Sequence, residues 1–329
     1  MREPLIMGID TSCDDTGVAI LRGRSDVLVN LISSQVEFHR PFGGVVPEIA
    51  SRKHVEVIIQ LIDEALNRAE VELEELDAIA VTYGPGLIGS LLVGLTVAKG
   101  IAYMKEIPLI GINHLEGHIF SVFLSFPELR FPFISLIVSG GHTELVVVKD
   151  IGVYELLGST RDDAVGEAYD KVAKLLGLGY PGGPIIDKMA RNGDPFAIKL
   201  SIPMFKGKTL DFSFSGIKSA VYYYTRDRDY RVEDVVASFQ KTVVDFLVMR
   251  VKEAMEETGI RKVAIVGGVS ANTALRHRIK EEGIEGYFPS FSYCTDNGAM
   301  IAEAGYYRFL RGEFSDLSIE GNPSLKLVE

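Results

Sequence analysis

Leu5-Ile6-Met7-Gly8-Ile9, then Asp10-Thr11-Ser12-Cys13-Asp14-Asp15-Thr16, then Val18-Ala19-Ile20-Leu21 form an apolar run, a small acidic turn and a second apolar run. This pattern predicts two strands folded back on each other. It returns in Phe133-Ile134-Ser135-Leu136-Ile137-Val138, Ser139-Gly140-Gly141-His142-Thr143 and Glu144-Leu145-Val146-Val147-Val148. A second pattern, strand then glycine turn then helix, also occurs twice. Residues 77–82 enter Gly84-Pro85-Gly86 and an apolar helix from Leu87, and residues 262–266 enter Gly267-Gly268-Val269-Ser270-Ala271-Asn272 and a helix through Arg278. Two copies of both patterns predict an internal duplication, an α/β fold of two similar domains facing a cleft. Residues 165–230 have no counterpart in the first half and read as an insertion. Between the repeats, a strand is expected within 27–36 and a turn-rich loop over 41–47. An amphipathic helix is expected over 48–70, with Val55, Ile58, Ile59, Ile62 and Leu66 on its apolar face.

The chain has 329 residues, 47% of them hydrophobic and 24% charged, as in a soluble globular protein of two domains. Met1-Arg2-Glu3-Pro4 lacks the layout of a signal peptide. The apolar stretch 87–104 contains Lys99 and three glycines and reads as a core helix rather than a membrane span. Two cysteines, Cys13 and Cys294, suffice for neither a disulfide framework nor a thiolate zinc site, which favours a reducing cytoplasm. The net charge of −11 argues against uniform coating of nucleic acid. Yet residues 171–231 hold eleven Lys/Arg against five Asp, a local +6 that leaves −17 elsewhere. Such a segment is either a local polyanion site or a set of ordinary solvated charges.

Asn113-His114-Leu115-Glu116-Gly117-His118 places two of the six histidines four residues apart. On a helix these positions lie about 40° apart, so both imidazoles can reach one divalent cation. A buried, hydrogen-bonded pair is the alternative. The zinc-peptidase pattern H-E-x-x-H is not met. Glu116 lies two residues after His114, about 200° around the helix, where it cannot act as the base. Four polar or glycine-rich turns, around Thr11-Ser12, Gly84-Pro85-Gly86, Ser139-Gly140-Gly141 and Gly267-Gly268, follow strands and can bring backbone N–H groups to phosphate oxygens. None matches the Walker or dinucleotide pattern. Asp296 precedes a helix-like run over 299–310, where Asp commonly serves as N-cap. Glu167, Asp170 and Asp187 adjoin glycine-rich segments and can cap a turn, bind a ribose hydroxyl or ligate a metal.

These motifs, in this order, resemble the bacterial TsaD family of tRNA threonylcarbamoyl transferases. The resemblance spans nearly the whole chain. It rests on Gly8-Ile9-Asp10-Thr11-Ser12-Cys13-Asp14, Gly43-Gly44-Val45-Val46-Pro47-Glu48, Tyr83-Gly84-Pro85-Gly86-Leu87 and the histidine segment. Val138-Ser139-Gly140-Gly141-His142-Thr143, Asp162-Asp163-Ala164, Gly166-Glu167-Ala168 and Leu176-Gly177-Leu178-Gly179-Tyr180-Pro181-Gly182-Gly183-Pro184 add to it. Gly267-Gly268-Val269-Ser270-Ala271-Asn272 and Cys294-Thr295-Asp296-Asn297 complete it. The chain departs from the family pattern at Asp10 and Asp15, where relatives often carry Glu, and at Tyr169, where Phe is usual.

The resemblance implies a duplicated actin-like, sugar-kinase (ASKHA) fold around a nucleotide cleft. The expected domains are 1–127 with a returning helix in 297–329, and 128–296 carrying the insertion. It implies His114, His118 and Asp296 as catalytic ligands of one divalent metal ion per subunit, iron or zinc. It also implies Ile137, Val138, Ser139, Gly140, Gly141, Asp170, Gly183, Asp187 and Asn272 around an adenine nucleotide or threonylcarbamoyl-adenylate. The implied reaction forms t6A at adenine 37 of tRNAs reading codons that begin with adenine. Implied partners are tRNA, a TsaB-like paralogue and a TsaE-like ATPase, in the cytoplasm and with no membrane. A zinc metallopeptidase and an actin-like ATPase or kinase are the competing activities.

Overall fold

The computed structural model describes residues 2–203, 205–226 and 228–328. In chain order its strands and helices are β1 (Leu5–Asp10), β2 (Asp15–Arg22), β3 (Asp26–Ser34), α1 (Val36–His39), α2 (Pro47–Ala69), β4 (Ala78–Gly84), α3 (Ile88–Lys105), β5 (Leu109–Asn113) and α4 (His114–Phe120). There follow β6 (Phe133–Val138), β7 (Thr143–Asp150), β8 (Val153–Ser159), α5 (Val165–Leu175), α6 (Gly182–Ala190), α7 (Ser215–Arg226) and α8 (Val232–Thr258). The chain ends with β9 (Lys262–Val266), α9 (Thr273–Glu281), β10 (Glu285–Tyr287) and α10 (Gly298–Leu310).

The chain divides into two units, one of residues up to Leu129 and from Pro289 on, the other Arg130–Phe288. Each contains one five-stranded sheet, ordered β3-β2-β1-β4-β5 in the first and β8-β7-β6-β9-β10 in the second. In each, the first three strands pair antiparallel and the last two extend the sheet in parallel. The sequence dictates both patterns. A short polar turn can return a chain only antiparallel, whereas a parallel neighbour needs a crossover such as α3 or α9. The duplication is therefore visible strand for strand. Helices α5, α6 and α7 fall between β8 and α8.

The second crossing back into the first unit occurs at Pro289, not at 297. Residues 289–296 belong to the first unit because their backbone is tied there: Ser290 N–H donates to Ser125 Oγ at 2.9 Å. Helix α2 also departs from expectation. Its buried face is Ala50, His54, Ile58, Ile62 and Ala65, while Val55 and Ile59 are exposed. The buried face rotates to include His54, whose ring nitrogens meet Thr16 Oγ1 at 2.7 Å and the Cys13 carbonyl at 3.0 Å. Helix α3 is long and apolar enough to cross a membrane by length and composition. Its Leu91, Leu95, Ala98 and Ala102 are buried, the last three in the core beneath β1, β2 and β4.

The second unit's core joins Leu136, Val138 and Leu145 of the sheet to Ala168 and Val172 of α5 and Phe239 and Phe246 of α8. Each large side chain buried in this way contributes about 1.5–3 kcal/mol.

Helix α10 is seated on the first sheet by a seam of glycines. A Cβ on Gly8 would lie 2.2 Å from the Gly298 carbonyl oxygen, and one on Gly17 2.5 Å from Gly298 N. A Cβ on Gly298 would meet Ala19 N at 2.5 Å. Without side chains at these three positions the start of α10 lies directly on the backbones of β1 and β2. This seam sets the position of the residues just before it, Asp296 and Asn297.

Candidate functional site

In the first unit the site is built at the carboxyl ends of the parallel strands β1, β4 and β5, where α/β folds commonly place ligands. Asn113, the last residue of β5, caps α4 by accepting from Leu115 N–H at 2.9 Å and donates to the Lys326 carbonyl at 3.1 Å. That cap aims the first turn of α4. His114 and His118 then stand one turn apart with ring centroids 4.6 Å apart. Asp296 Oδ1 lies 3.5 Å from His114 Nε2 and 3.2 Å from His118 Nε2. The three donor atoms fall within 4.8 Å of one another, a spacing that can hold a metal ion.

Asp296 is free to do this because it is not the helix cap. Asn297 takes that role, accepting from Met300 N–H at 3.0 Å. Glu116 faces the other way: it is buried and accepts from Arg308 Nε at 3.0 Å and Arg308 Nη2 at 2.8 Å. Committed to this double ion pair, it supplies no base for a zinc peptidase.

Asp10 is a member of the cluster that spacing in the sequence could not find. Its Oδ2 lies 3.5 Å from His114 Nδ1, while Oδ1 accepts from Ser12 N–H at 3.2 Å. The available signal was its place at the end of the strand that pairs with β4, itself next to β5. Asp15 is tied by its side chain to Ser34 instead; burial first, and then the charge of Asp296, pushes it up to about 7.

The electrostatics ask for a cation. Burial disfavours a charged His114, yet the carboxylates of Asp296 and Asp10 override it and raise its pKa to about 10. Burial likewise opposes the Asp296 carboxylate, but His114 and then His118 hold it far below the usual range. Asp10 Oδ2, His114 Nδ1 and both ring nitrogens of His118 are buried without a hydrogen-bond partner. The 3.2 Å approach of His118 to Asp296 lacks hydrogen-bond geometry. Unpaired buried donors and acceptors are costly and rare. Two imidazoles and a carboxylate around one point are the nitrogen and oxygen donors that iron or zinc takes, and a metal would displace the proton from His114. The residues fit the ion that the sequence reading implied.

The second unit carries the residues expected around an adenylate. Ile137 and Val138 end β6 and are buried. The following turn is closed by Ser139, whose N–H donates to the His142 carbonyl at 2.9 Å and whose Oγ accepts from His142 N–H at 3.1 Å. Gly140 and Gly141 are exposed at its tip. Helix α5 starts against this turn. Gly166 N–H donates to the Ser139 carbonyl at 3.1 Å, and a Cβ on Gly166 would come within 2.6 Å of that oxygen.

Asp170, further along α5, accepts from Gly182 N–H at 2.7 Å and so fixes the start of α6 and its open Gly183. Asp187 accepts from Thr273 Oγ1 at 2.9 Å and from Arg191 at 3.3 Å. Asn272 caps α9 by accepting from Leu275 N–H at 2.9 Å and donates to Gln240 Oε1 at 2.8 Å. The starts of α5, α6 and α9 are thereby linked to the Ser139 turn, with the N–H groups of Val165, Gly166, Gly182 and Leu275 bonded within the protein. The side chains of Asp170, Asp187 and Asn272 hold this arrangement together.

Part of the basic excess of 171–231 lies in ion pairs. Lys171 pairs with Asp163 and Glu167 at 2.6 and 2.8 Å, and Lys218 pairs with Asp163 at 2.9 Å. Lys208 pairs with Glu257 and Arg231 with Glu233 at 3.3 Å. These four of the segment's eleven basic residues are thus in ordinary ion pairs.

Two repeats of one five-stranded sheet, glycine turns at strand ends and a histidine-carboxylate cluster define a duplicated α/β protein of the actin-like (ASKHA) class. Solved structures support the fold. Full-length HypF in its phosphate- and nucleotide-bound form superposes with a TM-score of 0.64 at 16% identity, over 95% of this chain and 48% of that longer one. The (R)-2-hydroxyglutaryl-CoA dehydratase component A of Acidaminococcus fermentans gives 0.56 at 15% identity, over 94% and 99%.

Residues 26–303 match the TsaD family, tRNA N6-adenosine threonylcarbamoyltransferase, and the chain belongs to that family. It is 53% identical to the tRNA N6-adenosine threonylcarbamoyltransferase of Thermodesulfovibrio yellowstonii, over 98% of this chain and all of that one. It is 52% identical to the enzyme of the same name from Caldicellulosiruptor saccharolyticus, over 98% of each chain.

Proposed function

We propose that this chain transfers the threonylcarbamoyl group from threonylcarbamoyl-adenylate to N6 of adenine 37 in tRNAs reading codons that begin with adenine. A bond forms between N6 and the carbamoyl carbon, the bond from that carbon to the phosphate oxygen breaks, and AMP leaves with the electron pair while N6 loses a proton. Family membership supports the reaction. The observation in the molecule that carries the reading is the meeting of His114, His118 and Asp296 with buried ring nitrogens left unpaired.

Those three residues would hold one divalent ion per subunit, iron or zinc. When bound, such an ion supplies positive charge that anchors the threonylcarbamoyl group or polarises its carbonyl. Asp10, at His114 Nδ1, would orient that ring as carboxylates do for metal-bound histidines. The Ser139–Gly141 turn and the helix starts at Gly183 and Asn272 would bind the AMP moiety through N–H groups, with Asp170 and Asp187 bracing them. Since an exocyclic amine is a weak nucleophile, holding it against the acyl carbon is the chief task left to the protein. The reading gives the enzyme a TsaB-like paralogue and a TsaE-like ATPase as companions, working on tRNA in the cytoplasm without a membrane.

The test incubates the chain with donor and unmodified tRNA, with and without the companions, and analyses the nucleosides by mass. His114→Ala is expected to lose bound metal and t6A formation together. Undiminished modification by a metal-free His114→Ala protein would refute the metal role.

A further inference from the structure

Gly84-Pro85-Gly86 has the composition of a turn that could meet phosphate, yet its amides are taken by the protein itself. Gly86 N–H donates to the Pro323 carbonyl at 3.3 Å, and the next N–H, of Leu87, to the Ser12 carbonyl at 2.8 Å. A Cβ on Gly84 would lie 2.1 Å from the Asn322 carbonyl oxygen, and one on Gly86 2.4 Å from the Ser12 carbonyl oxygen. The two glycines thus let the backbones of Asn322 and Ser12 come directly onto the turn.

Residues 316–328 form no helix or strand, so contacts with the rest of the first unit set their path. Ser315 N–H donates to the Leu109 carbonyl at 2.8 Å and Ser315 Oγ accepts from Gly111 N–H at 2.9 Å, which starts the segment along the edge strand β5. Ile319 packs against the core of the first sheet. Asn322 N–H then donates to the Tyr83 carbonyl at 2.7 Å, at the end of β4. Asn322 Oδ1 accepts from Ser324 N–H at 3.1 Å, and the Asn322 carbonyl accepts from Leu325 N–H at 3.3 Å. This is a tight turn of the kind Asn favours. Beyond it, the Lys326 carbonyl accepts from Asn113 Nδ2 at 3.1 Å.

That last bond reaches the metal-ligating helix. The other end of the same amide, Asn113 Oδ1, caps α4. Turned over, the amide would set its NH2 against the Leu115 N–H and its oxygen against the Lys326 carbonyl, losing both bonds. The Lys326 carbonyl therefore decides which amide atom faces the helix. Helix α4 has seven residues, of which His114 is the first and His118 the fifth. So short a helix does not hold its shape unaided.

We propose that residues 322–326 are a strap that positions the two histidines for their ion, and that Gly84-Pro85-Gly86 is the seat of that strap rather than a phosphate-binding turn. The consequence for the ion rests on the metal reading of His114, His118 and Asp296; the strap itself rests on the contacts at Tyr83, Gly86 and Asn113.

The test compares the parent with Asn113→Ser, Gly84→Ala and a chain ending at Gly321. Ser still caps a helix but has no second group to reach Lys326. The methyl of Gly84→Ala displaces Asn322 and leaves residue 113 unaltered. Hydrogen exchange of the metal-free proteins, read by mass over residues 113–120 and over 5–9, reports α4 and a core strand separately. Zinc affinity comes from competition with a chelator, and the visible absorption of bound cobalt(II) reports the arrangement of its ligands. Each variant is expected to exchange about 10-fold faster over 113–120, the effect of about one hydrogen bond, with 5–9 unchanged. Zinc affinity is expected to fall about 10-fold, with an altered cobalt spectrum.

Parental exchange over 113–120 in the variants would overturn the strap. Equal acceleration over 5–9 would mark general loosening and refute a positioning role. Parental zinc affinity despite faster exchange in α4 would refute the link to the ion. If the parent binds neither zinc nor cobalt, the metal reading fails and exchange over 113–120 alone decides the strap. Should Gly84→Ala or the shortened chain fail to fold, Asn113→Ser decides by the same measurements.

Discussion

Glu303 offers a measurement in which the size of the effect follows from the structure. It is fully buried in α10. Its carboxyl accepts from Ser25 N–H at 3.2 Å and lies 3.2 Å from Ser25 Oγ, whose one proton can go to the Phe123 carbonyl at 3.0 Å while the oxygen accepts from the protonated carboxyl. Burial raises the pKa from 4.5 to about 7 despite those bonds and the nearby Arg24. An acid whose pKa is higher in the folded state stabilises below its unfolded pKa, and that contribution is lost as pH rises towards the folded value. The protein is therefore expected to lose about 1.4 kcal/mol per pH unit through this group between about pH 4.5 and 7, near 3 kcal/mol in all.

Glu303→Gln removes the titration and keeps the shape. The amide oxygen can accept from Ser25 N–H, and the amide nitrogen can donate to Ser25 Oγ. Urea unfolding of parent and variant across pH 4 to 8 should give curves that coincide at the acid end. By pH 8 the variant should be more stable by about 3 kcal/mol. A difference that stays constant with pH would refute the assignment of this carboxyl as neutral in the folded protein.

Other expectations test the frame around the site. Arg308→Ala strands the buried Glu116 carboxylate and is expected to destabilise the protein by about 3–5 kcal/mol in thermal or urea unfolding, with most of the loss recovered when Glu116→Gln is added. Gly166→Ala presses a methyl onto the Ser139 carbonyl and is expected to cost about 1–3 kcal/mol and to weaken adenine-nucleotide binding by calorimetry while leaving metal content unchanged. Unaltered nucleotide affinity in a folded Gly166→Ala would separate the turn from nucleotide binding.

The duplication was legible because it is written in local periodicity: apolar runs of strand length and the glycines between them are properties of short windows. The pairing of His114 with His118 was legible for the same reason, being a matter of helical pitch. Asp10 was not, since its contact with His114 depends on the register of β1, β4 and β5, which no window contains. Nor could sequence spacing decide between Asp296 and Asn297 as the cap of α10, because both residue types cap helices well and the choice is made by the glycine seam beneath. The apolar face of α2 was misjudged where Val55 and Ile59 outweighed His54, a polar residue that is buried because Thr16 and Cys13 satisfy its ring. The positive charge of 171–231 was counted correctly, but the carboxylates that pair with Lys171, Lys208 and Lys218 (Asp163, Glu167 and Glu257) lie on both sides of the segment, where a count within it does not see them.

The glycine seam under α10 bears on how the protein is made. More than half of the chain lies between His118 and Asp296, and α10 docks on strands that leave the ribosome first. A nascent polypeptide therefore exposes the two imidazoles long before the third donor exists. If the three residues hold an ion, its full coordination must wait until translation is nearly finished.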